Sequence, residues 1–229
     1  MLPVIILAGG LATRMRPITE KIPKAMLEVA GKPFIVHQLH LLKKNNIENV
    51  ILCVGYLGEM IEDYVRDGSA YQMRVAYSYD GDKLLGTGGA IKNIDDKLPD
   101  EFFVLYGDSY LDIDYQAVEN AYHRSNKKAL MTVYKNEGKW DTSNVVFHND
   151  ELVRYSKKSK TEDMNYIDYG LGILSKGVLT GHTDSMVFDL ADIYEKLSVE
   201  NELYGFEVFE RFYEIGSPDG FDGLKRKLG

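Results

Sequence analysis

Val4-Ile5-Ile6-Leu7-Ala8-Gly9-Gly10-Leu11-Ala12-Thr13-Arg14-Met15-Arg16-Pro17 is the stretch whose reading decides the fold. Its apolar opening, Val4–Ala8, is a short uninterrupted run, the pattern of a strand covered on both faces as in a parallel sheet. The run ends at Gly9-Gly10, where missing side chains let backbone amides approach a ligand and form an anion-binding nest. Alone, a Gly-Gly pair reads equally well as a tight turn. Arg14 changes the balance with a planar fork for phosphate oxygens, and Ile22-Pro23-Lys24 follows with a point charge on a stiffened backbone. Arg16 is a weaker second candidate. Strand, glycines and fixed cations together read as a polyphosphate cradle, although neither G-x-x-x-x-G-K-[ST] nor G-x-G-x-x-G occurs in the chain.

Outward from this stretch, strands and helices alternate. Helices are expected at Pro33–Asn45, Tyr56–Arg66, Gly86–Ile94 and from an Asp114 cap to Arg124. Strands are expected at Asn49–Val54, Arg74–Ser78, Glu101–Leu105 and Ala129–Tyr134. This βαβα rhythm predicts an α/β fold, a doubly wound, mainly parallel (mixed) Rossmann-like sheet. From Asn144 the rhythm changes. The pattern there predicts a hairpin (Asn144–Phe147, Glu151–Tyr155), a strand Ile167–Leu174, a helix Asp189–Val199, a short strand Phe212–Ile215, and a helix Pro218–Leu228 capped by Ser217. The second half thus reads as a small β-rich extension over the strand ends, where ligands of open α/β sheets bind.

The 229 residues, 45% of them hydrophobic, contain no linker, repeat or low-complexity run. The reading is therefore one domain over 1–229. A net charge of −8 argues against a nucleic-acid surface. No apolar run approaches the ~20 residues of a membrane helix, and Met1-Leu2-Pro3 lacks the n- and h-regions of a signal peptide. The single cysteine, Cys53, falls in an apolar strand and reads as core. These points fit a cytoplasmic enzyme. His37, His40, His123, His148 and His182 show no metal spacing and read as structural.

Three further segments could carry chemistry. Leu85-Gly86-Thr87-Gly88-Gly89-Ala90 is a second glycine loop, either lining a base and ribose with its amides and the Thr87 hydroxyl or packing a helix closely on a strand. Tyr106-Gly107-Asp108-Ser109 puts a carboxylate at the end of a buried strand, where an oxygen donor suits Mg²⁺. Glu214, inside a short apolar strand, is costly if buried alone, and a metal shared with Asp108 would resolve that cost. Asp112-Ile113-Asp114 is a rival D-x-D metal motif, with Asp114 also readable as a helix cap.

In order and spacing, Leu7–Pro17 with Pro23-Lys24, Leu85–Gly89, Tyr106-Gly107-Asp108 and Tyr213-Glu214-Ile215-Gly216-Ser217-Pro218 resemble the signatures of sugar-1-phosphate nucleotidylyltransferases. The likeness is to compact members such as heptose-1-phosphate guanylyltransferases and N-acetylmuramate-1-phosphate uridylyltransferases. Two departures stand out. Glu214 occupies a position where many members have Asp, and Tyr77–Leu85, near the base in the family, differs from the usual shorter stretch.

The resemblance implies Mg²⁺-dependent transfer of a nucleoside monophosphate from an NTP (GTP, UTP, CTP or dTTP) to a sugar 1-phosphate. It implies that Leu7, Ala8, Gly9, Gly10 and Arg14 hold the nucleotide, with Thr87 and Gly88 beside base and ribose. Lys24 would bridge the reacting phosphates, Asp108 and Glu214 would hold the metal, and Asn144, Lys157, Tyr169 and Gly170 would contact the sugar phosphate. Arg14, Lys24 and Asp108 are the implied catalytic set, in a monomer or homodimer, and the resemblance implies a nucleotide-binding half (1–135) and a sugar-phosphate-binding half (136–229) within the one domain. The rivals are a glycosyltransferase using Asp112-Ile113-Asp114, a cytidylyltransferase acting on a non-sugar phosphate, and a non-catalytic nucleotide sensor.

Overall fold

The computed structural model describes residues 1–94, 97–180 and 186–229; His182 lies outside them. The first half runs β1 (Val4–Leu7), β2 (Glu28–Val29), β3 (Lys32–Pro33), α1 (Phe34–Lys44), β4 (Asn49–Val54), α2 (Gly58–Val65), β5 (Arg74–Tyr79) and α3 (Gly86–Lys92). It continues through β6 (Glu101–Tyr106), β7 (Ser109–Tyr110), α4 (Tyr115–Ser125) and β8 (Ala129–Lys135). The second half adds β9 (Val145–His148), β10 (Glu151–Tyr155), β11 (Tyr166–Ser175), α5 (Leu190–Val199), β12 (Leu203–Val208), β13 (Tyr213–Glu214) and α6 (Pro218–Leu228).

Nine of these strands form one mixed sheet, in the order β10-β9-β11-β6-β1-β4-β5, with β8 joined to β11 and β12 to β8. The neighbours β6, β1, β4 and β5 are parallel, as the apolar runs and intervening helices require. β11 pairs antiparallel with both β6 and β8 and carries the sheet into the second half. Side chains of β1 alternate between two cores. Val4 and Ile6 pack on the face covered by α1, α2 and α4. Ile5 packs on the face covered by α3 and α5. A third small core, Val29, Phe34, Ile215 and Leu224, seats α6 against the β2–β3 hairpin.

The expected elements are all present, with ends shifted by one or two residues. β12 has no counterpart in the sequence reading, because Gly205 and Glu207 interrupt its apolar alternation. It is a full six-residue partner of β8, paired parallel. The two-residue strands β2, β3 and β7 are also too short to leave a periodic signal. The caps fall where the side chains predict them: Asp114 accepts from the Ala117 N–H, Asp189 from Ala191 and Ser217 from Gly220.

Candidate active site

The strand ends of β1 and β6 are pinned together, since the Gly107 N–H donates to the Leu7 carbonyl at 3.0 Å. A Cβ on Gly107 would fall 2.5 Å from that oxygen, so only glycine allows this approach. The Gly9-Gly10 loop therefore lies beside Asp108. Among the described residues, the N–H groups of Gly9, Gly10 and Leu11 have no hydrogen-bond acceptor. Unpaired amides at a strand end are what an anion nest requires.

Asp108 is held from three sides. The buried Gln38 of α1 donates to the carbonyls of Tyr106 (3.1 Å) and Ser109 (2.8 Å), which bracket it. The Ile215 N–H donates to its carbonyl at 3.0 Å, and Lys24 Nζ donates to Oδ2 at 2.7 Å. Gln38 is a positioning residue absent from the sequence reading; a glutamine on the buried face of an apolar helix was its only signal.

The antiparallel β7–β13 pair sets Glu214 opposite Ser109, one residue from Asp108. The Glu214 carboxylate takes the N–H groups of Gly216 and Ser217 and the Ser217 hydroxyl at the start of α6, which fixes its orientation. Gly216 lies between the charged groups. A Cβ there would sit 2.9 Å from both Asp108 Oδ2 and Glu214 Oε2 and 3.2 Å from an Arg14 guanidinium nitrogen. No set of three or more His, Cys, Asp or Glu side chains converges on a metal position among the described residues. Asp108 and Glu214 both approach Gly216 at the edge of the larger cavity, and two carboxylates are a donor set of the kind Mg²⁺ takes when phosphate oxygens and water complete its shell.

Two cavities meet at Asp108. The smaller, about 240 Å³, runs between the two glycine loops and is lined by Leu7, Ala8, Gly9, Gly10, Asp80 and Thr87, among others. The larger, about 780 Å³, opens toward the second half and includes Arg14, Asp168, Tyr169, Gly170, Arg211 and Glu214. Tyr106 and Asp108 line both. Arg14 thus stands on the wall of the larger cavity, beside the carboxylate pair.

The second glycine loop has a more specific arrangement than its sequence indicates. The N–H groups of Gly88 and Gly89 donate to the Phe188 carbonyl, and a Gly88 Cβ would strike the Phe188 ring. The Thr87 hydroxyl donates to Asp189 and accepts from the Leu190 N–H, both at 2.8 Å. Gly86 and Thr87 reach the cavity wall. The loop therefore meets the cavity as a wall, and many of its donors fasten it to the entry of α5.

The residues read as sugar-phosphate contacts are dispersed. Tyr169 and Gly170 line the larger cavity, in a stretch of β11 whose register with β8 shifts between Asp168 and Gly172. Gly170 sits at φ +100°, a conformation suited to glycine. The Asn144 side chain accepts the Asp168 N–H at 2.9 Å and acts as a brace. Lys157 donates to Asp189 at 2.7 Å, and Lys158 to Asp192. Neither Asn144 nor Lys157 lines either of these two cavities.

Two cavity residues escape the sequence reading. Asp168 accepts the Gly170 N–H (2.9 Å) and the Tyr106 hydroxyl (3.4 Å). Burial pushes its pKa up to about 6 despite these bonds. Arg211 stacks over Trp140, 3.6 Å from the ring centroid, with Tyr213 at 4.8 Å. The rival metal motif is dismantled, since Asp114 caps α4 and Asp112 pairs with Lys44 at 2.8 Å. Cys53 is buried, its thiol pushed up to about 12 by burial, as expected of a core residue.

The nucleotidyl transferase family model matches residues 3–216. The chain belongs to that family. A D-glycero-alpha-D-manno-heptose 1-phosphate guanylyltransferase from Aneurinibacillus thermoaerophilus is 32% identical, over 98% of this chain and 97% of its own. A UTP–glucose-1-phosphate uridylyltransferase from Synechocystis is 30% identical over 98% of this chain, which spans 63% of that relative. The crystal structure of HddC from Yersinia pseudotuberculosis complexed with GMP-PN matches over the full length of both chains, with a TM-score of 0.80 and 25% identity. A putative glucose-1-phosphate thymidylyltransferase from Bacillus anthracis shares the fold, with a TM-score of 0.88 at 19% identity. This nucleotidyl transferase is therefore an enzyme with the expected Rossmann-like fold. Among its described residues, no helix is long and apolar enough to cross a membrane.

Proposed function

We propose that this enzyme transfers a nucleoside monophosphate from an NTP to a sugar 1-phosphate, giving an NDP-sugar and pyrophosphate. The observation that carries the reading is the junction of two cavities of different character at Asp108, with Lys24 2.7 Å from its carboxylate. One cavity takes the nucleotide and the other the acceptor. The relatives named as guanylyl- and uridylyltransferases of sugar phosphates supply the substrate class.

An acceptor phosphate oxygen forms a bond to the α-phosphorus. The bond from that phosphorus to the bridging oxygen breaks, and pyrophosphate leaves with the electron pair. The nucleophile is already an anion, so no general base is needed, and catalysis is alignment plus charge neutralisation. The free amides of Gly9 and Gly10 receive phosphate oxygens. Lys24 turns from Asp108 to the reacting phosphates, and Arg14 neutralises charge from the acceptor side. Asp108 and Glu214 are the residues to hold Mg²⁺, which supplies charge neutralisation at the phosphates when bound. Tyr169 and Gly170 shape the acceptor cavity. Thr87 and Gly88 hold the wall beside base and ribose, Asn144 braces the bulge in β11, and Lys157 reaches a phosphate only by releasing Asp189.

The test is pyrophosphate release over a matrix of NTPs against sugar 1-phosphates, with phosphocholine as a non-sugar acceptor, with and without Mg²⁺. Release with at least one sugar phosphate, abolished by chelation, is expected. No release with any pair overturns the proposal, and release with phosphocholine alone reassigns the acceptor.

A further inference from the structure

Arg211 lines the larger cavity without a counter-charge. Among the described residues it makes no ion pair and donates no hydrogen bond. Its guanidinium is instead stacked on rings, 3.6 Å from the Trp140 centroid and 4.8 Å from that of Tyr213. Stacking engages the face of a guanidinium and leaves its N–H edge for a partner with two oxygens. One terminal nitrogen lies 3.7 Å from where a Gly223 Cβ would sit, so a glycine of α6 keeps space beside that edge.

Both rings are held in place. The buried Asn136 side chain accepts the Trp140 N–H at 3.1 Å and donates to the Asp141 carbonyl and the Ser143 hydroxyl. Tyr213 is fixed by its pairing with Tyr110 in the β7–β13 ladder. The cation is thus ordered before a ligand arrives, which lowers the cost of binding one. α6 gives its distance from the reaction centre. A Gly220 Cβ would overlap the Glu214 carboxylate, whereas Gly223, three residues on, abuts Arg211. Such positions are helical neighbours, about 5–6 Å apart. Arg211 therefore stands roughly one turn beyond the carboxylate pair, where Arg14 already supplies a cation.

We infer that Arg211 selects acceptors carrying a second oxyanion, a carboxylate or a phosphate, on the side of the sugar away from the reacting phosphate. The inference rests on the nucleotidyl-transfer reading above and gives its acceptor a chemical class. The cavity, about 780 Å³, is at the large end for ligand pockets and leaves room for such a substituent. Other charges on this wall have compensation nearby. Lys139 pairs with Glu137 at 3.0 Å, and Asp141 accepts the Thr142 N–H. Asp219 lies in the first turn of α6, where the helix dipole favours an anion. Asp222 precedes Arg226 by four residues on α6, a spacing that sets opposite charges side by side. Arg211 has only the two rings, and a planar oxyanion meets its free edge with two parallel, charge-assisted hydrogen bonds.

The test compares neutral and anionic acceptors of the same sugar. Pyrophosphate release is measured with Mg²⁺ and each NTP, using glucose, mannose and galactose 1-phosphates. Their counterparts carry a carboxylate at C6, a phosphate at O6, or a carboxymethyl ether at O3 or O4. The wild type should use at least one anionic acceptor with a kcat/KM about tenfold or more above that of its neutral parent. The carboxylate and phosphate arms show which oxyanion fits. In Arg211→Gln, which keeps a planar polar group without the charge, the anionic-to-neutral ratio should fall by about tenfold. A role confined to stapling the Trp140 loop to β13 predicts instead an equal loss on both acceptors and an unchanged ratio.

An unchanged ratio in the variant, or a wild type that uses every neutral sugar 1-phosphate as well as its anionic counterparts, overturns the inference while leaving nucleotidyl transfer standing. Absence of release with any sugar 1-phosphate overturns both. The wild-type comparison needs no variant, so it remains decisive if Arg211→Gln does not fold.

Discussion

The two cavities that meet at Asp108 are built on different principles. The side proposed for the nucleotide is small and made mostly of backbone and apolar side chains, with unpaired amides after β1. The side proposed for the acceptor is more than three times larger and walled by charged side chains from separate segments, among them Arg14, Asp168, Arg211 and Glu214. A triphosphate is common to all NTPs and can be held by glycine geometry, whereas the acceptor must be distinguished by its substituents and needs side chains. The wall between the two is where chemistry is expected, and variants there should affect both substrates.

The sharpest challenge is Asp108→Ala. Pyrophosphate release should fall by roughly a thousandfold or more, as when a preorganised transition-state contact is lost. Circular dichroism should show the fold retained, because a partly exposed ion pair contributes on the order of 1 kcal/mol or less. Substantial Mg²⁺-dependent turnover by the variant would show that the junction is not the reaction centre. Lys24→Ala should lower kcat/KM by about a hundredfold or more. A value equal to wild type would remove Lys24 from the mechanism.

Asp168 tests the acceptor side through stability. Its pKa is about 6 in the folded chain against an ordinary 3.8, so the folded state keeps the proton to higher pH than the unfolded state does. The cost of the buried charge therefore appears as pH rises between these values and is complete above them. Asp168→Asn should stabilise the protein by about 1–2 kcal/mol near neutral pH and by nothing near pH 4, measured by urea unfolding. An equal effect at both pH values would rule out titration as the source. Arg211→Ala should raise the KM for the sugar phosphate about tenfold with the NTP KM unchanged; the converse would mean that the cavities are assigned the wrong way round. Lys157→Ala, which removes an exposed pair with Asp189, should change either KM by less than about threefold. A larger rise in the acceptor KM alone would return Lys157 to the acceptor phosphate.

The same contrast explains what could be read from the chain. Gly9-Gly10, Gly107-Asp108 and the Ser217-Pro218 cap are local signals, in which residue type and backbone requirement coincide within a few positions. The pairing of Asp108 with Glu214 was legible only from a charge set in a short apolar strand and from the resemblance, since β7 and β13 are two residues each. Gln38, Asp168 and Arg211 gave little signal, because each acquires its role from a segment far away in sequence. Thr87 and Gly88 illustrate a subtler limit. Their loop is conspicuous in sequence, yet much of its hydrogen-bonding capacity goes to Phe188, Asp189 and Leu190, about a hundred residues further on.

The Lys24–Asp108 pair has a thermodynamic consequence of its own. Lys24 holds the Asp108 oxygen that a divalent cation would claim on the proposed reading, so the site would resist binding either partner alone. A phosphate that drew Lys24 away would leave Asp108 without a counter-charge and raise its affinity for a cation. By linkage, whatever factor the nucleotide adds to cation affinity, the cation must add to nucleotide affinity. Lys24→Ala would flatten that reciprocity: the cation should bind the free protein more tightly and gain less from the nucleotide.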